Sequence, residues 1–212
     1  MSTKLNLRIH SVKCVDETNG SFVERFGNDE IYLGGFSIDA HANPRKINPF
    51  NVSSDFDDGD IKKYNPPRKF VTFDLGTNFS RPSNFSVGFL LAEKDNGGMN
   101  DALQKIYEKL ASEIQKKKTQ ALTTAGSGGT ATAIAALPLG LIWSVVKPYV
   151  YAYVKEKIIG WFGDDLFPLQ DVTISILNAN QTWNGSKVSP IAMVEFRGND
   201  GLYQLFYDWE LV

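Results

Sequence analysis

From Ala121 to Val146 the chain carries no charged side chain, and Lys147 is the one charge before Lys155. Such a run has to be taken out of water against something. Roughly 20 mostly apolar residues span a bilayer core as a helix, so length alone permits membrane insertion. Trp143, Tyr149, Tyr151 and Tyr153 suit a membrane interface, and lysines stand on both sides of the run. Against a permanent span, Ala, Gly and Thr are weakly hydrophobic, and Pro138 with Gly140 interrupts a continuous helix. A helix buried against a β-sheet gives the same pattern. The run therefore admits two readings, packed core or a segment that enters lipid when released.

Charge is distributed around this run. Residues 1–98 hold 12 basic and 13 acidic side chains, residues 99–161 hold 8 and 4, and residues 162–212 hold 2 and 7. The overall net charge of −2 thus hides a basic centre between a near-neutral head and an acidic tail.

Hydrophobic periodicity changes at the same places. Leu5, Leu7 and Ile9 alternate with polar residues, the period of a half-buried strand. Glu30–Ile38, Lys69–Leu75 and Phe85–Ala92 are further strands, separated by loops, above all the proline-rich stretch Asn43–Arg68. After the centre, Val172, Ile174 and Ile176 alternate, and Ile191–Arg197 and Leu202–Leu211 flank Gly198-Asn-Asp-Gly201 as a hairpin. In the centre, Leu103, Ile106, Tyr107, Leu110 and Ile114 form one apolar stripe on a helix, and a second helical region is expected over 131–162. The expected fold is α+β: one domain, an antiparallel β-sandwich built from 1–96 and 164–212, with an inserted α-helical hairpin at 97–163 that carries the apolar segment 121–154.

Chemistry-bearing motifs are sparse. One cysteine, Cys14, and two histidines, His10 and His41, exclude a disulfide framework and a multi-cysteine metal site. There is no G-x-S-x-G, P-loop, H-E-x-x-H or C-x-x-C, so no enzyme is expected and the catalytic set is empty. The densest carboxylate run is Asp55, Asp57, Asp58 and Asp60. Calcium takes six to eight oxygen ligands, which makes these four the candidate calcium ligands, with solvated loop acids as the plainer reading. No nucleic-acid reader motif accompanies the basic centre, and nucleic acid is not expected as a partner.

The N-terminal residues have no apolar run of a secretory leader. Synthesis in the cytoplasm is expected, with export or injection by a non-classical route if the protein acts elsewhere. Three stretches, Val12–Thr18 with Asp29–Leu33, Ile159–Pro168 and Gly201–Trp209, resemble a set of uncharacterised bacterial proteins with a β-rich shell and an Ala/Gly-rich central helical region. That resemblance implies an exported or injected effector and assigns no activity and no site residues.

The leading expectation is a non-enzymatic bacterial effector or toxin-like, pore-forming protein, soluble when made. Lys116, Lys117, Lys118 and Lys147 would contact lipid headgroups, and Gly126, Gly128 and Gly129 would form the hinge. Leu137, Leu139, Leu141, Ile142, Trp143, Val145 and Val146 would enter the membrane. The alternative is a β-sandwich binding or assembly module, with or without calcium, in which the hairpin is ordinary core. A homo-oligomer is open under either.

Overall fold

Leu5, Leu7 and Ile9 are fully buried while the residues between them point the other way, so strand β1 (Lys4–Asp16) has one core face and one polar face. The same alternation, with four prolines and several bulges, builds the other strands of a computed structural model that describes residues 1–17, 29–76, 82–93, 99–125, 143, 147–148, 152, 166–198 and 201–212. The elements are β1, β2 (Asp29–Ile38), β3 (Pro44–Phe56), β4 (Ile61–Asp74), β5 (Ser83–Glu93), α1 (Met99–Ala125), β6 (Gln170–Ile176), β7 (Ala192–Gly198) and β8 (Gly201–Leu211).

Two four-stranded antiparallel sheets form, β4-β1-β8-β7 and β3-β2-β5-β6. The first and last strands are neighbours in the middle of one sheet, with Leu7 opposite Trp209. Between the sheets lies a core of Leu5, Leu7, Ile9, Leu33, Phe73, Phe85, Phe89, Phe196, Tyr203 and Trp209, among others. This is a β-sandwich, with inner faces supplied by alternate residues of both sheets.

Helix α1 lies on the outer face of the second sheet. Its stripe Leu103, Ile106, Leu110 and Ile114 is buried against Phe36, Ile38 and Leu90. A Cβ at Gly34 would stand 2.9 Å from Leu103 Cδ1, so the missing side chain lets the helix approach β2 closely. Strand β5 is buried on both faces: Phe85, Val87, Phe89 and Leu91 look inward, Leu90 and Ala92 toward the helix layer.

Two expectations need correction. The inserted helical hairpin is not found: among the described residues α1 is the one continuous helix, with isolated helical positions at 143, 147–148 and 152, and its stripe packs on a sheet. The second sheet offers apolar residues on both faces, which satisfies the stripe without an antiparallel partner. The second arm expected over 131–162 lies outside the described residues except for positions 143, 147–148 and 152. The stretch Asn43–Arg68, read as loop, is mostly strand, forming β3 and most of β4. Both are edge strands, the position where proline is tolerated because no ladder partner awaits its missing N–H.

Candidate functional site

Three surfaces carry chemistry, and the first is a polar chain on the outer face of the β4-β1-β8-β7 sheet. Arg8 donates from Nε to Asp208 Oδ1 at 2.8 Å and from Nη2 to Asp208 Oδ2 at 2.7 Å, and its Nη1 reaches Glu210. His10 Nε2 lies 2.8 Å from Asp208 Oδ2. Asn6 donates to Glu210 at 3.1 Å and accepts from Thr72 at 2.7 Å. The pairing of Arg8 with Asp208 follows from the β1–β8 register. His10 falls where that register shifts, between Ile9 and Ser11, and a bulge of this kind re-aims a side chain. Asp208 is 1% exposed. Burial pushes its carboxyl up, but hydrogen bonds and charge from Arg8 and His10 outweigh that and hold it below the usual carboxylate range. Hydrogen bonding to Asp208 in turn raises the Arg8 guanidinium. The cluster fixes the imidazole, but among the described residues no hydroxyl, thiol or amine is hydrogen-bonded to it, so no nucleophile is activated there.

The second is the seat of Trp143 and Lys147 on β5 and β6. Trp143 is 1% exposed, and its Nε1 donates to Ser86 Oγ at 2.7 Å. Ser86 in turn donates to the Val172 carbonyl at 3.0 Å. A Cβ at Gly88 would stand 2.6 Å from Trp143 Cη2, so the indole occupies the space that a side chain at Gly88 would need. Four residues on, Lys147 pairs with Asp171, and Asp171 is the cross-strand partner of Gly88. Trp143 and Lys147 therefore land on one cross-strand position.

The third is the side of the sandwich where edge strands β3 and β4 meet. Phe50 of β3 packs edge-on against Tyr64 and Phe70 of β4. The Arg68 guanidinium sits 3.8 Å above the Phe50 ring, across the gap between the sheets. Burial raises the Tyr64 hydroxyl, with the Arg68 charge pulling the other way, and among the described residues that hydroxyl has no hydrogen-bond partner. Arg45, Lys62, Lys63, Arg68 and Lys69 are exposed and Lys46 is half-buried. Among the described residues none of the six forms an ion pair. Ile61, next to Lys62, is 47% exposed.

The sequence-derived candidates fall as follows. Lys116 pairs with Glu113 at 2.8 Å, and Lys118 donates to Asn43 at 3.1 Å; Lys117 is half-buried beside them. Hydrogen bonds from Lys116 and Lys109 lower the Glu113 carboxyl. Trp143 and Lys147 are where the seat places them. Gly126, Gly128, Gly129, Leu137, Leu139, Leu141, Ile142, Val145 and Val146 lie outside the described residues. The acidic run forms the β3–β4 turn: Asp58 accepts the Glu17 N–H at 2.7 Å, Asp57 that of Asp58 at 2.9 Å, and Asp60 that of Asp57 at 3.3 Å. Asp55 is exposed at the end of β3. Among the described residues no three His, Cys, Asp or Glu side chains are grouped to hold a metal ion, and no helix is long and apolar enough to cross a membrane.

The fold is thus a β-sandwich with one outer helix layer. No protein-family model matches the chain, and no curated protein matches it. Among solved structures it is similar to a C2 domain protein from Ramazzottius varieornatus, at 9% identity over 100% of this chain and 91% of that one, with a TM-score of 0.32. It is also similar to Drosophila C2-DSL-EGF1, at 10% identity over 99% of this chain and 67% of that one, with a TM-score of 0.32. At that score neither likeness carries fold or function to this chain.

Sequence reading missed the Arg8–Asp208 cluster, whose members lie 200 residues apart, and the β3–β4 cations. The doublets Lys62-Lys63 and Arg68-Lys69 around Pro66-Pro67 were the available signal for the latter.

Proposed function

We propose that this chain is a β-sandwich binding or assembly module whose central apolar segment serves as core. One observation carries the reading: Trp143, near the C-terminal end of the charge-free run, is buried on β5 and hydrogen-bonded to Ser86. An inserting segment would have to give up that bond, the Gly88 seat and the Lys147–Asp171 pair together. Binding rather than catalysis fits an imidazole that has an orienting carboxylate but, among the described residues, no nucleophile bonded to it. Asp57, Asp58 and Asp60, the aspartates a calcium-dependent form of this module would use with Asp55, accept N–H groups of the turn and of Glu17.

Dye release from anionic and zwitterionic vesicles, across pH and with or without calcium, tests the reading against the toxin-like, membrane-inserting alternative. No release under any condition is expected. Release by the unmodified protein, accompanied by exposure of Trp143 in a quenching experiment, would overturn the module reading.

A further inference from the structure

The cations of edge strands β3 and β4 form no ion pair among the described residues, and apart from Arg68, which stacks on Phe50, nothing inside the described fold uses them. We infer that the β3–β4 side, centred on Lys62, Lys63, Arg68 and Lys69, docks on an anionic phospholipid surface. The inference rests on the binding-module reading and names its partner.

Three observations support this partner. The cations belong to two adjacent edge strands, brought together where Arg68 crosses from β4 to Phe50 of β3. They are free of carboxylates among the described residues, whereas the lysine run on α1 has Lys116 held by Glu113 and Lys118 by Asn43. Exposed Ile61 beside Lys62 and Lys63 supplies an apolar group at the level where charged headgroups meet acyl chains. A nucleic-acid strand fits less well. The aromatic rings of this side, Phe50, Tyr64 and Phe70, pack on one another, and the one ring face described as covered is covered by Arg68, which is not a platform for stacking bases.

Lysine and proline on edge strands also guard a sheet against pairing with another chain. The two roles separate cleanly, because guarding affects self-association and docking affects vesicle binding. The full chain would be tested by flotation with phosphatidylcholine vesicles, with and without phosphatidylserine, loaded with dye.

Binding only to the phosphatidylserine vesicles, without dye release, is expected. Each cation near such a surface strengthens binding about fivefold, so the pair Lys62→Gln and Lys63→Gln should weaken it about 30-fold. Salt should release the bound protein, since the screening length falls from about 10 Å at 0.1 M to about 3 Å at 1 M. Binding that ignores phosphatidylserine, or salt, or the double substitution, overturns the inference and leaves the module reading standing. So does tighter, salt-sensitive binding to duplex DNA, or a double variant that self-associates yet still floats. Dye release upon binding strikes instead at the module reading. Should the double variant fail to fold, the phosphatidylserine and salt dependence of the unmodified protein still decides.

Discussion

Asp208 concentrates the electrostatics of the fold in one side chain. It is buried on the outer face of its sheet, bonded to Nε and Nη2 of Arg8 and to His10. Because its carboxyl is lowered in the fold, ionisation favours the native state. That contribution is complete above the unfolded value of about 3.9 and is lost as pH falls through the lowered folded value. Replacing Asp208 with Asn removes the charged partner of Arg8 Nε and Nη2 and leaves the guanidinium with Glu210 alone, which should cost about 2 kcal/mol near neutral pH. In urea titrations the gap between the two proteins should narrow below about pH 4; a constant gap would mean that Asp208 acts through packing alone. Tyr64 gives the opposite sign. Its buried hydroxyl lacks a partner among the described residues, so Tyr64→Phe should raise stability by about 1 kcal/mol, read from the same titrations. At Gly88 the added methyl of alanine would meet the Trp143 ring. Overpacking of that kind costs about 1–3 kcal/mol, and the Gly88→Ala protein should show Trp143 more accessible to acrylamide.

Among the elements, α1 shows why a correct local reading gave an incorrect partner. Its spacing of Leu103, Ile106, Leu110 and Ile114 is visible in the sequence, and all four are buried. What they bury against is not visible, because it depends on β2 and β5 having apolar outer faces. In β5 the outward set is Ser86, Gly88, Leu90 and Ala92, too small and mixed to announce a second core. β1 and β8 were legible because one face meets the core and the other is more polar, and β5, buried on both faces, was legible because large inward side chains alternate with smaller ones such as Ser86 and Gly88. β3 and the first part of β4 were not, since their prolines and asparagines mimic loop chemistry and only their position at sheet edges makes them tolerable, whereas the rest of β4 was expected as the strand Lys69–Leu75. The candidate site was less legible still. Doublets of basic residues can be counted, but whether a carboxylate reaches them depends on the fold. Truncating Leu110 to Ala removes the middle of the stripe and should cost about 2–5 kcal/mol. If α1 is integral to the sandwich, that loss will appear in the single global unfolding transition. A separate early transition of helical signal, with the sheets intact, would make α1 an appended layer.

At the scale of the molecule, the two ends of the chain complete one sheet. β1 sits between β4 and β8, and the N–H groups of Thr3 and Lys4 both donate to the Val212 carbonyl, at 2.6 and 3.0 Å. The inner face of β8, Tyr203, Leu205, Tyr207, Trp209 and Leu211, lies beside residues of β1 189 to 206 positions away. Such pairing closes the longest loop the chain can make, which places folding at the slow, non-local end of the range. A chain ending at Gly198 would leave Leu5, Leu7 and Ile9 without their cover and should show no cooperative unfolding. The loss could be blamed on the missing residues as such, and a circular permutant separates the causes. Because Lys4 and Val212 exchange backbone hydrogen bonds, a short linker can join the natural ends. New ends can open between Gly198 and Gly201, which are cross-strand partners at the close of β7 and the start of β8. The permutant keeps every strand but makes β8–β1 a local pair, so it should fold cooperatively, and faster than the natural order in stopped-flow refolding. A cooperative truncated chain, or a permutant that fails to fold, would mean that the terminal pairing is not what holds this sheet together.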